Sequence, residues 1–361
     1  MATVRRSTII SSWEGFLPAN RPKSSAKRLI IQNAIPFIDK LVCVSLSFFS
    51  ISRFAMHRSA LRYLRQFFIV WIGGVCVVTL VFAQSALANS SVQRPQPHRV
   101  ARDYPRDLSL YSNAALVMDH KSGAILYDKN INSVLPIASL TKLMTAIVVL
   151  DSRLALDATI RVEKDDIDLE RRSRSKMRIG EVLARGDMLR LALMSSENRA
   201  ASALARTFPG GRDAFVAAMN RRATQIGMSS TRFVDSSGLS GRNVSTARDL
   251  SKLVATAAGY ELIRQYSTTP QVALTRLDSG AQINYINTNL LLRHDTDWDI
   301  NLSKTGYLNE AGYCLVLQAV IERRMVDIVL LDSYGRYSRI GDANRIKKWI
   351  ENWLRPAIGK L

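Results

Sequence analysis

The period of the hydrophobic positions changes several times along this 361-residue chain, and those changes mark its elements. Ala114-Ala-Leu-Val-Met-Asp119 and Ala124-Ile-Leu-Tyr127 are short apolar runs, and His120-Lys-Ser-Gly123 between them supplies a turn with its glycine, which predicts a hairpin. After Pro136 the spacing becomes helical over residues 140–150. Asp187 stands where an N-cap is expected for a helix over 188–194, and the amphipathic stretch 212–226 stops at Gly227. Thr246 and Asp249 have the spacing of a capping box opening a helix over 247–258. Two strand-like runs, 313–321 and 325–331, flank Glu322-Arg323-Arg324 as a tight turn, and 342–354 reads as a closing helix. Strands at both ends with helices between predict an α+β fold whose antiparallel sheet is formed from both chain ends, with helices on its faces.

The first hundred residues follow another pattern. An apolar run over 67–82 follows Arg58, Arg62 and Arg65 and ends in Ala86-Leu87-Ala88, the parts of a secretory signal peptide cleaved after Ala88. About 16 apolar residues are short for a membrane span, so no stable anchor is expected after cleavage. Met56 precedes this segment, and 1–55 reads as an extension outside the mature protein, through an early start or disorder. Pro95, Pro97 and Pro105 mark 89–108 as a linker, leaving 109–361 as one domain and a periplasmic location.

Charge changes the picture little. The chain carries 50 Lys and Arg against 30 Asp and Glu, but 1–88 holds 11 against 2, so much of the excess lies in the exported leader. The remaining arginines have no aromatic interleaving and no nucleic-acid module, which argues against a nucleic-acid partner. Cys314 alone would survive cleavage, in an apolar strand that suits a small buried side chain. His98, His120 and His294 have no metal-ligand spacing, so neither a metal nor another cofactor is expected; His120, in its turn, is expected to face solvent.

Three short motifs carry chemistry. In Ser139-Leu-Thr-Lys142, at a helix start, positions i and i+3 share a face, which brings the Ser139 hydroxyl within reach of the Lys142 amine. That amine can act as a base only if burial and nearby positive charge lower its pKa. Ser196-Glu-Asn198 falls between two predicted helices, where a loop can present a proton-relaying hydroxyl and an amide for substrate. Lys304-Thr-Gly306 lies in a strand-like segment: Lys304 offers a cation to a carboxylate and to the Lys142 balance, and Thr305 a hydroxyl. Gly306 would let the backbone approach the substrate. S-x-x-K, S-x-N and K-T-G in this order, separated by 57 and 108 residues, form the set of penicillin-recognising serine enzymes.

With these motifs, and with the stretches 231–239, 245–250 and 304–314, the sequence resembles the low-molecular-mass penicillin-binding proteins. These are the D-alanyl-D-alanine carboxypeptidase family, and its periplasmic murein DD-endopeptidase branch is the nearest in pattern. The resemblance implies a penicillin-binding transpeptidase or β-lactamase-like fold, with peptidoglycan stem peptides and cross-links as substrates and β-lactams as covalent inhibitors. It implies Ser139 as acyl-ester nucleophile, Lys142 as general base and Ser196 as proton relay. Asn198, Lys304, Thr305 and Gly306 would bind substrate, and the N–H groups of Ser139 and Tyr307 would form the oxyanion hole. Tyr307 follows K-T-G where several carboxypeptidases have His, which bears on carboxypeptidase strength. The chain ends after the expected last helix, without the C-terminal β-rich domain and amphipathic helix of membrane-attached members. Two other readings stand beside this one. A class A-like β-lactamase would need a glutamate holding the deacylating water; a non-catalytic wall-binding module would not need all four motif side chains.

Overall fold

The computed structural model describes residues 108–358, apart from 170 and 294–296. The expected extension, signal segment and nearly all of the linker, residues 1–107, lie outside the described residues. In chain order the strands are β1 Ala114–Asp119, β2 Ile125–Lys129, β3 Leu135–Pro136, β4 Thr159–Arg161, β5 Val182–Ala184, β6 Val244–Ser245, β7 Gln271–Thr275, β8 Gln282–Ile286, β9 Asp299–Leu308, β10 Gly312–Ile321 and β11 Arg324–Ser333. The helices are α1 Thr141–Asp151, α2 Arg185–Met194, α3 Asn198–Arg206, α4 Gly211–Gln225, α5 Ala247–Ala258, α6 Glu261–Thr268 and α7 Arg336–Ile358. Among the described residues no helix is long and apolar enough to cross a membrane.

Five strands form an antiparallel sheet in the order β2-β1-β11-β10-β9, so the two ends of the domain meet in one sheet as the pattern predicts. Its middle strands are buried on both faces, which is why β10 and β11 read as continuous apolar runs rather than alternating ones. Cys314, Val316, Val329 and Leu331 join the core under the central helices. Leu315, Leu317, Ile328 and Leu330 pack against Ala343, Ile346 and Ile350 of α7. The β10–β11 connection is two residues, Glu322 and Arg323, with φ of 49° and 63°. This is the left-handed turn that matches strand twist, made here without Gly or Asn; Arg324, expected in the turn, already begins β11.

Two predicted helix starts and one predicted cap need correction. Helix α2 starts at Arg185 instead of after Asp187, because the N–H groups of Arg185 and Gly186 find the carbonyls of Ala158 and Leu156, each at 2.8 Å, and no side-chain cap is required. Asp187 lies inside the first turn, where the helix dipole favours an acid. At α5, Thr246 Oγ1 caps Asp249 N at 3.0 Å as expected, but the Asp249 carboxylate does not complete the box. It accepts instead from Ser230 N at 2.8 Å and Thr231 Oγ1 at 3.0 Å. Helix α7 begins at Arg336, six residues before the predicted start, since its first turns are polar and contain Gly341. Asp342 is therefore inside the helix, where its buried carboxylate accepts from Tyr111 N, Ser112 N and Ser112 Oγ at 2.9, 2.7 and 2.6 Å.

Candidate active site

Ser139 sits in a 3-10 turn, Ala138–Leu140, that runs directly into α1. Ile137, Ala138, Leu140 and Leu143 are fully buried, which fixes the turn against the core. Ala138 holds φ of 47°, a left-handed value that costs an alanine about 1–2 kcal/mol and re-aims the chain just before the serine. Ser196, at the end of α2, is strained in the same way with φ of 59°. Backbone strain therefore stands immediately before the first motif and at the serine of the second.

The i, i+3 geometry places Lys142 Nζ 2.8 Å from Ser139 Oγ. Lys142 has no exposed surface, and its Nζ also donates to Asn198 Oδ1 at 2.8 Å and to the backbone O of Ser237 at 2.6 Å. Burial pushes its pKa down to about 7, against the upward pull of the Asp235 and Glu197 charges. About half of the amines are then neutral at pH 7. A neutral amine has two hydrogens and one lone pair, while the Asn198 oxygen and the Ser237 carbonyl can only accept. The lone pair is left for the one neighbour that can donate, the Ser139 hydroxyl.

Lys304, in β9, is buried beneath the same site, and its Nζ donates to Thr305 O at 2.9 Å. Burial, then the charges of Lys142 and Arg339, hold its pKa well below the usual lysine range. The expectation that Lys304 is what keeps Lys142 neutral needs adjustment: desolvation is the main cause for both amines; the Lys142 charge adds to the lowering at Lys304, whereas the charges acting on Lys142 are those of Asp235 and Glu197, which raise it. An arriving carboxylate would reverse that balance at Lys304 and favour its charged form. Thr305 Oγ1 donates to Thr288 Oγ1 at 2.6 Å, and Thr288 N donates to Met194 O at 2.9 Å, which ties the K-T-G strand to the S-E-N loop.

Gly306 also serves a closeness within the chain. A Cβ there would stand 3.0 Å from Ile137 O and 3.2 Å from Ser139 N, so the glycine lets β9 lie against the serine's turn. Arg339 Nη1, from α7, donates to Gly306 O at 2.8 Å and Cys314 O at 2.9 Å and so fixes β9 from the opposite face. Tyr307 turns its half-exposed ring outward, stacked on Tyr313 at 4.2 Å. Ser139, Lys142 and Asn198 are thus joined directly, and β9 is packed against them. Ser196 makes no hydrogen bond to Ser139 or Lys142.

Sequence reasoning missed Ser237, Ser173 and Thr288. Ser237 acts through its carbonyl, which any residue possesses; the loop that presents it is built by Asp235, whose Oδ1 accepts from the N–H groups of Ser237 and Gly238 at 2.7 and 2.6 Å. Gly238 has φ of 80°, and a Cβ there would stand 2.0 Å from Ala138 O. The Asp-Ser-Ser-Gly run was the available signal, as an Asx turn closed by a left-handed glycine. Ser173 Oγ accepts from Asn198 Nδ2 at 3.0 Å. Elsewhere, His120 does not simply face solvent: its Nδ1 lies 2.9 Å from Oδ2 of the buried Asp327. Cys314 is fully buried, with its thiol pushed up to about 11 by desolvation, and has none of the thiolate character of a nucleophile.

A serine, a buried lysine of lowered pKa and a converging K-T-G edge strand define a serine acyl-transfer centre. Residues 100–335 match the family model described as D-alanyl-D-alanine carboxypeptidase, peptidase S11, and the chain belongs to that family. It is a serine DD-peptidase. A D-alanyl-D-alanine endopeptidase of Pseudomonas aeruginosa is 45% identical over 78% of this chain and 89% of its own length. One from Escherichia coli K12 is 45% identical over 66% of this chain and 77% of its own. Among solved structures, the Streptomyces K15 DD-transpeptidase aligns with a TM-score of 0.63 at 28% identity, covering 68% of this chain and 98% of that one. Penicillin-binding protein D2 of Listeria monocytogenes, solved in its cefotaxime-bound form, aligns with a TM-score of 0.59 at 30% identity, over 68% and 99%. The α+β penicillin-binding fold read from the motifs is the fold of these proteins.

Proposed function

We propose that this peptidase cleaves D-alanyl bonds of peptidoglycan stem peptides through an acyl-enzyme on Ser139, acting above all on D-alanyl-diaminopimelate cross-links, with D-Ala-D-Ala carboxypeptidase activity beside it. One observation carries the reading: the fully buried Lys142 amine, its pKa brought down to about 7, 2.8 Å from Ser139 Oγ. Ser139 attacks the carbonyl of the D-alanine as its proton passes to Lys142. Lys142 passes that proton to Ser196 as the Ser196 hydroxyl gives its own to the departing amine, and water then adds to the acyl ester and releases it as the acid, restoring the serine. Asn198 holds a substrate amide, and Lys304 and Thr305 take a carboxylate. The N–H groups of Ser139 and Tyr307 stabilise the oxyanion, a contribution of about 3–4 kcal/mol per donor in such sites. The closeness of Gly306 to Ser139 N supports that pairing.

The names of the Pseudomonas and Escherichia relatives, both endopeptidases, favour the cross-link as substrate. The cefotaxime complex of the Listeria protein supports acylation by β-lactams. Slow release of that adduct, rather than β-lactamase turnover, is favoured by Glu197: its two oxygens are engaged by Ser175 Oγ at 2.7 Å and Lys176 N at 3.0 Å. We place the enzyme in the periplasm, with the leader removed after Ala88.

The test has two arms. A fluorescent penicillin should label the protein stoichiometrically, and Ser139→Ala should abolish the label; persistent covalent labelling of that variant would overturn the assignment. Digestion of purified cross-linked peptidoglycan should remove muropeptide dimers. Removal of pentapeptides with dimers untouched would reverse the substrate preference.

A further inference from the structure

Among the described residues the exposed Phe, Tyr and Trp side chains are all tyrosines: Tyr111, Tyr307, Tyr334 and Tyr337, with 63%, 50%, 79% and 73% of their surface open. The topology gathers them at one end of the sheet. Tyr307 is near the end of β9, Tyr334 directly follows β11, Tyr111 precedes β1, and Tyr337 is in the first turn of α7. Adjacent strands are antiparallel, so the end of β9 lies beside the start of β10, and the end of β11 beside the start of β1. Tyr313, paired in register with Tyr307 on one side and Ser333 on the other, fills the gap between them.

The rings are held in place. Tyr307 stacks on Tyr313 at 4.2 Å, and its hydroxyl donates to Asn309 Oδ1 at 2.8 Å. The Arg339 guanidinium lies 5.4 Å from the centre of the Tyr313 ring. Tyr334 meets Tyr111 edge-on at 5.9 Å, and the Arg345 guanidinium is 4.7 Å from the centre of Tyr111. Four strands spaced about 4.8 Å apart make the row about 14 Å long. It begins at the cleft, because Tyr307 follows Gly306, where a Cβ would stand 3.2 Å from Ser139 N.

A contiguous exposed patch of this kind marks a binding surface. Its composition narrows the ligand. Among the described residues the large exposed aliphatic side chains belong to other elements, so the row offers flat rings with hydroxyl edges. Such rings suit a pyranose: its C–H face packs on the electron-rich ring face, and its hydroxyls meet the phenol groups. A row this long suits a chain of linked sugars rather than a single one. The peptide that this enzyme cuts is borne on such a chain, and at about 3.5 Å per residue a short stem spans from the row to Ser139.

We propose that Tyr307, Tyr334, Tyr337 and Tyr111, with Tyr313 between them, form a carbohydrate-binding ledge that holds the glycan strand whose stem peptide occupies the cleft. The inference deepens the peptidase reading above and takes the identity of the glycan from it. The ledge makes glycan-linked peptides better substrates than free ones of the same sequence.

Binding to peptide-free glycan tests it, since no bond is cut. Glycan strands stripped of their stem peptides are titrated calorimetrically into the wild-type chain and into the Tyr334→Ala, Tyr337→Ala double variant. Affinity should fall about tenfold on loss of the two rings, and Phe at both positions should retain most of it. The alanine protein should lose about tenfold in kcat/KM on glycan-linked dimers and nothing on a free cross-linked peptide, with penicillin labelling at the wild-type rate. Equal glycan affinity of the wild-type and alanine proteins would overturn the ledge, as would an equal loss on glycan-linked and free substrates. Self-association of the wild-type chain that the alanine protein lacks, without glycan binding by either, would give the surface to a second copy and overturn the ledge too. Ring-dependent glycan binding by a wild-type enzyme that leaves dimers uncut would keep the ledge and overturn the cross-link reading alone.

Discussion

Replacing Asn198 with Asp puts a carboxylate where an amide oxygen now lies 2.8 Å from Lys142 Nζ. The shape of the site is retained, and the charge next to the amine is not. Two unit charges about 3 Å apart, at an effective dielectric constant of about 20, attract by roughly 5 kcal/mol, or about 4 pK units. The incoming carboxylate must itself be buried, so about 2 units is the expected net rise. From its present value of about 7, Lys142 would then titrate near 9. The neutral fraction at pH 7 falls from about a half to about one hundredth, and acylation with it, by roughly fiftyfold. Stopped-flow acylation by a fluorescent penicillin between pH 5 and 10 reads this directly. The rising limb should move alkaline by about 2 units, with most of the rate recovered near pH 10. Loss of an amide contact to substrate would instead lower the plateau and leave the limb in place. A limb that stays at the wild-type pH, whatever the plateau does, refutes Lys142 as the base.

The same burial has a thermodynamic sign. Folding holds the Lys142 pKa near 7 against 10.5 unfolded, so between these values the unfolded chain binds the extra proton and this residue's contribution to stability rises with pH. Lys142→Met should therefore stabilise the protein relative to wild type at pH 7, by a difference that shrinks as pH approaches 10; urea melts across that range check it, and a difference that grows with pH would be inconsistent with the buried amine. Gly238→Ala forces a Cβ to 2.0 Å from Ala138 O at φ of 80°, and should cost more than 3 kcal/mol and lower penicillin labelling at least a hundredfold. Gly280→Ala, with φ of 67° but open space, should cost only the backbone strain of about 1–2 kcal/mol and leave labelling unchanged.

The β1–β2 and β10–β11 hairpins and most helices were legible because each rests on local period and local turn chemistry, whereas the β7–β8 and β9–β10 pairings were not read. The S-x-x-K pair was legible for a similar reason: three residues along one helix fix the distance. What the sequence could not show is what crosses the chain. The Ser237 carbonyl leaves no mark on residue identity, and Ser173 and Thr288 are ordinary hydroxyl residues until folding sets them beside Asn198 and Thr305. Gly306 was seen as important for closeness, but only the packing reveals that its neighbour is the serine's own backbone. The late start assigned to α7 came from polar first turns whose buried partners are distant in sequence: Arg339 reaches Gly306 O and Cys314 O, and Asp342 binds Ser112, 230 residues away. Burial is likewise not a property of a lysine codon, so the cause of the lowered amine had to come from the structure.

The pairing of β1 with β11 joins Ala114 to Leu331, and Ser112 to Asp342 beyond it. The first strand of the domain thus waits for the last one. Contacts of such sequence separation form late, after the loop between them has been closed at an entropic cost. A chain still being made can form its first hairpin and its helices, but not the sheet on which β9 lies against Ser139. The site is therefore completed only once β9, β10 and β11 have been made, and a chain cut before them carries Ser139 without the strand that packs against it.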